Sequence, residues 1–197
     1  IRPCIRCNDG CLARAASRFA PVCCTVNVAV GDEDTFIITP AERPKKVAVV
    51  GGGPAGIEAA TVCALRGHEV TLYEKRKLGG ALIEASVPEF KADIRQLVKY
   101  FIARIEKLQI KVIYKEANID TIKSEGFDAV IVAVGGKLRK LDVPGIDKPV
   151  VTDVMEVLDG KARTGKRVHV VGGGMVGAEV GLFLAEQGKK DVITTRA

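Results

Sequence analysis

The chain has 197 residues, 47% of them hydrophobic, with a mean hydropathy of +0.16, which suits one or two packed domains and excludes a disordered chain. The net charge of +6 comes without the aromatic–basic interleaving or the motifs of a nucleic-acid reader, so no nucleic-acid partner is expected and the basic side chains face cofactor phosphates or solvent. No stretch reads as a signal peptide or a membrane span, because the longest apolar region is broken by Gly, Pro and Glu58.

Residues 1–31 hold five of the six cysteines: Cys4, Cys7, Cys11, Cys23 and Cys24. The spacing C-x2-C-x3-C, followed by twelve residues and Cys24, places three thiolates on one tight loop and brings a fourth from the next turn. Four thiolates converging on one point suit an iron–sulfur cluster or a zinc ion, and zinc more often shows two C-x2-C knuckles. The plain alternative is a set of thiols that bind nothing. Cys23 is the alternative fourth ligand, since only one of an adjacent pair points inward easily. Cys63 falls in a helical stretch and reads as a small core residue. Residues 32–45 are polar, contain Pro40 and Pro44, and read as a linker.

Val47 to Val50 is a short apolar run, the pattern of a buried strand. It leads into Gly51-Gly52-Gly53-Pro54-Ala55-Gly56, a G-x-G-x-x-G that opens a helix to about Arg66, stopped at Gly67. A second strand, Val70 to Tyr73, delivers Glu74. This is a β-α-β dinucleotide unit. Gly51 permits the tight turn, Gly53 lets backbone approach a pyrophosphate, and Gly56 lets helix and strand pack closely. The helix N-terminus, with Pro54 in its first turn, turns its unpaired N–H groups toward phosphate. Glu74, 23 residues after Gly51, stands where a carboxylate accepts hydrogen bonds from two ribose hydroxyls.

Lys75 to Gly80 is a basic loop ending in Gly79-Gly80. Pro88 to Leu108 has apolar residues at helical spacing. Ile110 to Tyr114 and Lys115 to Ile119 read as strands or strand-like pieces. Phe127 to Val134 is a β-branched run, expected as a central buried strand that Gly135 ends. Val150 to Leu158 reads as a strand edge and a short helix. Arg167 to Arg196 then repeats the first unit. A shift of 121 residues superposes Gly51, Gly53 and Gly56 on Gly172, Gly174 and Gly177, and Glu58 on Glu179. Two such units in one chain are the pattern of two-dinucleotide flavoprotein reductases, one unit holding FAD and the other receiving a nicotinamide cofactor. The residue matching Glu74 is Thr195, or Arg196 if the strand slips by one. A hydroxyl and a cation there favour a 2′-phosphate, hence NADPH over NADH. His68 and His169 have no visible catalytic partner and read as structural.

CIRCNDGC, then CTVN, then a basic linker and KKVAVVGGGPAGIEAA resemble the C-terminal half of the 2,4-dienoyl-CoA reductase, 2-enoate reductase and trimethylamine dehydrogenase group, over essentially the whole chain. Val28 departs from the group, which usually has Pro after CTVN. The resemblance implies an α/β fold of the FAD/NAD(P)-binding Rossmann-like type, preceded by a small iron–sulfur segment. It implies a [4Fe-4S] cluster on Cys4, Cys7, Cys11 and Cys24, FAD in the first unit and NAD(P)H in the second. Lys75, Gly79 and Gly80 would run past the flavin, and Ala133-Val134-Gly135 would close over it. The expected domains are a cluster segment at 1–31, a linker at 32–45, an FAD domain at 46–150 and the start of an NAD(P)H domain at 151–197. The chain would be a fragment of a cytoplasmic enzyme whose N-terminal TIM barrel carries FMN and reduces an enoate or dienoyl-CoA-like substrate. It would be inactive on that substrate alone, and no side chain here would act as acid or base. The alternatives are a non-catalytic ADP- or FAD-binding module, as in the trimethylamine dehydrogenase branch, and a reductase of the glutamate synthase small-subunit type.

Overall fold

A computed structural model of the chain describes residues 1–139 and 141–195. The chain divides into two units, Ile1–Lys137 and Leu138–Ala197.

The first unit begins with the cysteine segment, where a single π-helical turn at Asp9–Ala13 runs into the short helix α1 (Arg14–Arg18). β1 (Lys46–Val50), α2 (Pro54–Leu65) and β2 (Glu69–Tyr73) follow as a right-order β-α-β unit. Then come α3 (Leu82–Ala85), α4 (Ala92–Lys107), β3 (Lys111–Ile113), α5 (Ile119–Ser124) and β4 (Ala129–Val132). The four strands form one parallel sheet in the order β3-β2-β1-β4. The register pairs Val47 with Val70 and Ala129, and Val49 with Leu72 and Ile131. These six share one face, and that face packs with Ile57 and Ala60 of α2 and Leu97, Phe101 and Ile105 of α4 into a single core. The helical spacing of Ile94, Leu97, Phe101 and Ile105 is what makes α4 amphipathic enough to cover the sheet.

Three expectations change. β4 is an edge strand, with Val130 44% and Val132 71% exposed. It pairs only with β1, so its β-branched composition reports a strand without reporting its place in the sheet. Lys115 to Ile119 is not a strand, because the Asn118 side chain accepts the Thr121 N–H at 2.8 Å and starts α5 instead. Val150 to Asp153 likewise forms no strand; Asp153 caps α6 (Val154–Leu158), accepting the Glu156 N–H at 3.0 Å.

The second unit is smaller. β5 (Arg167–Val171), α7 (Met175–Glu186) and β6 (Lys190–Thr194) make a second parallel β-α-β unit, a two-stranded sheet with one helix on it. Among the described residues no helix is long and apolar enough to cross a membrane.

Candidate functional site: two glycine cradles and a thiol loop

The first cradle is built by the turn from β1 into α2. The Gly51 N–H donates to the Tyr73 carbonyl at 2.8 Å, continuing the β1–β2 ladder one residue past the strand. Gly51 has φ +108°, and a Cβ on it would lie 2.3 Å from the Ala133 carbonyl oxygen. A Cβ on Gly56 would lie 1.8 Å from the Gly51 carbonyl oxygen, so only glycine lets α2 start this close to the strand. Gly53 is the N-cap and Pro54 opens the helix, leaving the first-turn N–H groups for an anion. Gly79 donates its N–H to the Gly52 carbonyl at 2.8 Å, and Gly80 lies against Gly53. The fold therefore gathers Gly51, Gly53, Pro54, Ala55, Gly56, Gly79, Gly80 and the Ala133-Val134-Gly135 strand end at the carboxyl side of the sheet, where parallel sheets take their ligands.

Glu74 closes the cradle. It is 8% exposed, and its two oxygens accept the Gly52 N–H and the Arg76 N–H, both at 2.7 Å. These bonds fix the carboxylate at the tip of β2 and leave each oxygen lone-pair capacity for ribose hydroxyls. The ammonium of Lys75 pairs with Glu116 at 2.9 Å and holds that carboxyl below the usual range. Sequence reasoning passed over Arg76 and Glu84. Glu84 is 1% exposed, one oxygen pairs with the Arg76 guanidinium, and the other is buried with no hydrogen-bond partner. An acid inside a four-residue helix gives no spacing signal; only its burial reveals it.

The second cradle repeats the first. The Gly172 N–H donates to the Thr194 carbonyl at 2.8 Å, Gly174 caps α7, and a Cβ on Gly177 would lie 1.7 Å from the Gly172 carbonyl oxygen. The registers Val50 with Tyr73 and Val171 with Thr194 are equivalent, so the strand has not slipped and Thr195 stands where Glu74 does. Its side chain lies against Gly173 as that of Glu74 lies against Gly52. Arg196 falls outside the described residues. His68 Nδ1 accepts the Lys45 N–H at 3.1 Å, and His169 Nε2 contacts the Thr194 hydroxyl, both within the fold's own bonding.

The thiol loop is tightly turned. Arg6 and Asn8, on either side of Cys7, adopt φ +52° and +56°, a left-handed conformation that non-glycine residues rarely hold. The Arg6 N–H points at Cys4 Sγ at 3.3 Å, and Cys7 Sγ lies 3.3 Å from the Thr25 hydroxyl. That hydrogen bond holds the Cys7 thiol below its ordinary pKa. Cys4, Cys7 and Cys11 are exposed on this loop. Cys23 joins it: its N–H donates to the Gly10 carbonyl at 2.8 Å, and its sulfur stands 3.0 Å from where a Gly10 Cβ would be. Cys24 is half-buried. Cys63 is half-buried in α2, and burial pushes its thiol up. Among the described residues no three His, Cys, Asp or Glu side chains are placed to hold a single metal ion. The thiols of Cys4, Cys7 and Cys11 share one loop, with the Arg6 N–H aimed at Cys4 Sγ and the Thr25 hydroxyl beside Cys7 Sγ, a donor set whose chemistry fits an iron–sulfur cluster or zinc.

Residues 45–197 match the family described as pyridine nucleotide-disulphide oxidoreductase. The chain is 43% identical over 195 residues to a cinnamate reductase of Clostridium sporogenes, covering 98% of this chain and 29% of that one. It is 40% identical over 200 residues to an NADH oxidase of Thermoanaerobacter brockii, covering 98% of this chain and 31% of the relative. A solved 2-naphthoyl-CoA reductase complex superposes with a TM-score of 0.90 at 38% identity, over 95% of this chain and 29% of that one. The chain thus spans just under a third of the length of these relatives. Family match and neighbours agree with the two β-α-β cradles, and the chain belongs to the pyridine nucleotide-disulphide oxidoreductase family, as the FAD/NAD(P)-binding C-terminal module of the 2,4-dienoyl-CoA/enoate reductase group.

Proposed function

We propose that this chain is the electron-input module of a larger NAD(P)H-dependent iron–sulfur flavoprotein. The carrying observation is the pair of cradles in equivalent register whose second strands are followed by Glu74 in one and Thr195 in the other. The first cradle, with the ribose-gripping acid, holds FAD. The second, with a hydroxyl in its place, receives NAD(P)H and tolerates a 2′-phosphate, which favours NADPH. Cys4, Cys7, Cys11 and Cys24, with Cys23 as the alternative fourth ligand, carry a [4Fe-4S] cluster. When bound, these groups turn a two-electron hydride donor into a source of single electrons for an FMN on an N-terminal barrel of the same polypeptide, where an enoate or acyl-CoA-like substrate is reduced. The residues of this chain bind and orient: glycine backbones receive the pyrophosphates, Glu74 fixes the adenosine end, and the thiols fix the cluster. None is asked to move a proton.

The test is the iron and flavin content of the full-length polypeptide purified without oxygen. About four irons with FAD and FMN are expected. Zinc or no metal would remove the electron path, and bound ADP without flavin would remove the hydride step.

A further inference from the structure

Among the side chains that tie the cysteine segment to the nucleotide-binding unit, Arg2 makes the most contacts. The guanidinium of Arg2 donates from Nη2 to Glu58 Oε1 at 2.8 Å and from Nη1 to the Val26 carbonyl. It also lies over the ring of Tyr100, 5.4 Å from its centre. Glu58 sits in α2, two residues past Gly56. Tyr100 sits in α4, and Val26 follows Cys24 by two residues. A single cation therefore joins the start of the thiol segment, its end, and both helices that cover the sheet.

The neighbouring residues agree. Ile5 and Val26 pack against the hydrophobic core, and the Arg6 side chain pairs with Asp93 at the start of α4. Along Arg2-Pro3-Cys4-Ile5-Arg6-Cys7 the anchoring residues interleave with the thiols, so anchoring one set presents the other. The two ion pairs are unequal. Arg6 is 74% exposed, and such pairs contribute little. Arg2 and Glu58 are 21% and 34% exposed, and a planar guanidinium engaged on a carboxylate, a carbonyl and a ring is a geometry lysine cannot reproduce.

We propose that Arg2 is a positioning residue: it closes the cysteine loop on itself and seats it on α2 and α4, fixing the distance between the thiols and the first nucleotide cradle. Its meaning for electron transfer rests on the function proposed above; its effect on the loop does not.

The test uses the full-length polypeptide as purified, with Arg2→Met, Arg2→Lys, Glu58→Gln and the double variant Arg2→Met/Glu58→Gln. Two quantities are followed: the rate at which Cys4 and Cys7 become open to iodoacetamide, as free thiols or on loss of any group they hold, and hydrogen exchange in peptides from residues 1–31 against those from β1 and α2. Arg2→Met should modify about tenfold faster, as loss of a charged hydrogen bond implies. Exchange should quicken in residues 1–31 and stay at the wild-type rate in β1 and α2. Arg2→Lys should fall between, and Glu58→Gln should add nothing to Arg2→Met. Unchanged thiol rates, additive effects of the two substitutions, or loss of protection in β1 and α2 alongside the segment would each overturn the assignment. A wild-type protein without iron or flavin would defeat the proposed function and leave these ratios just as readable.

Discussion

The two β-α-β units share a backbone and differ in what surrounds it. In both, the glycine after the first strand donates to the last residue of the second strand at 2.8 Å, and in both a Cβ on the third motif glycine would sit within 1.8 Å of a carbonyl oxygen. The caps match too, Gly53 at φ −77° and Gly174 at −75°. Glycine spacing thus sets the cradle whatever the neighbourhood. Affinity and robustness come from elsewhere. In the first unit a buried Glu74 follows the second strand and α4 covers the sheet with α2; in the second Thr195 follows it and, among the described residues, α7 is the helix packed on its two strands. Equivalent strand positions show the consequence: Leu72 is 0% exposed and Ile193 41%.

The largest effect on cofactor binding should come from the shared glycine, because its clash is with backbone and no rotamer relieves it. In the full-length protein, Gly56→Ala should weaken FAD retention by at least about tenfold, a loss of ~1.4 kcal/mol or more. Gly177→Ala should leave flavin content unchanged and raise the KM for NAD(P)H by a similar factor. Flavin content and steady-state kinetics decide it: equal flavin loss in both variants would break the division of labour between the cradles.

The largest effect on folding stability should come from the core. In this 197-residue chain, Leu72→Ala should cost about 2–5 kcal/mol on urea unfolding, since it opens a cavity under α2 and α4. Ile193→Ala, at the equivalent place, should cost about 1 kcal/mol or less, because much of its side chain already meets solvent. Comparable losses at both positions would mean that the second unit is as well packed as the first.

These contrasts were unequally legible in the sequence. The cradle glycines, Glu74 and the 121-residue repeat could be read directly, because a tight turn and a close helix approach admit one residue type at fixed spacing. The apolar period of α4 was equally plain. The edge position of β4 was not, because composition reports burial on one face and says nothing of how many strands lie beyond. Asn118 starts a helix in a stretch expected to be strand-like, although Lys115 to Asn118 are residue types depleted in strands. The pairs of Arg2 with Glu58, 56 residues apart, and of Arg76 with Glu84 have no motif, since an ion pair needs proximity in space and not spacing in the chain. Cys23 and Cys24 are adjacent and chemically equal in the sequence; in the fold Cys23 is exposed against Gly10 and Cys24 is half-buried, a difference that spacing does not carry.

The smallest effect belongs to Tyr73, whose counterpart in the second unit is Thr194. Tyr73 is 2% exposed, its ring is edge-on to Phe127 at 6.3 Å, and its hydroxyl has no hydrogen-bond partner of ordinary geometry. Burial, helped by the nearby Glu125, pushes its pKa up to about 12 from an ordinary 10. An acid whose folded pKa is raised keeps its proton in the folded state after the unfolded chain has lost it. Unfolding between about pH 10 and 12 therefore releases that proton, and stability falls as pH rises through this window. Tyr73→Phe removes the proton and keeps the ring. Its stability should match or exceed wild type by up to about 1 kcal/mol at neutral pH, because no hydrogen bond is lost and a buried hydroxyl is removed. Above pH 10 its loss of stability should be shallower than that of wild type. Thr194→Val deletes a hydroxyl that does not ionise, so it should keep the wild-type slope. Urea unfolding of the three proteins across this range separates the outcomes, and a Tyr73→Phe slope equal to wild type would show that Tyr73 ionises as an exposed tyrosine does, leaving the two units alike in the one respect where burial of the strand end was held to divide them.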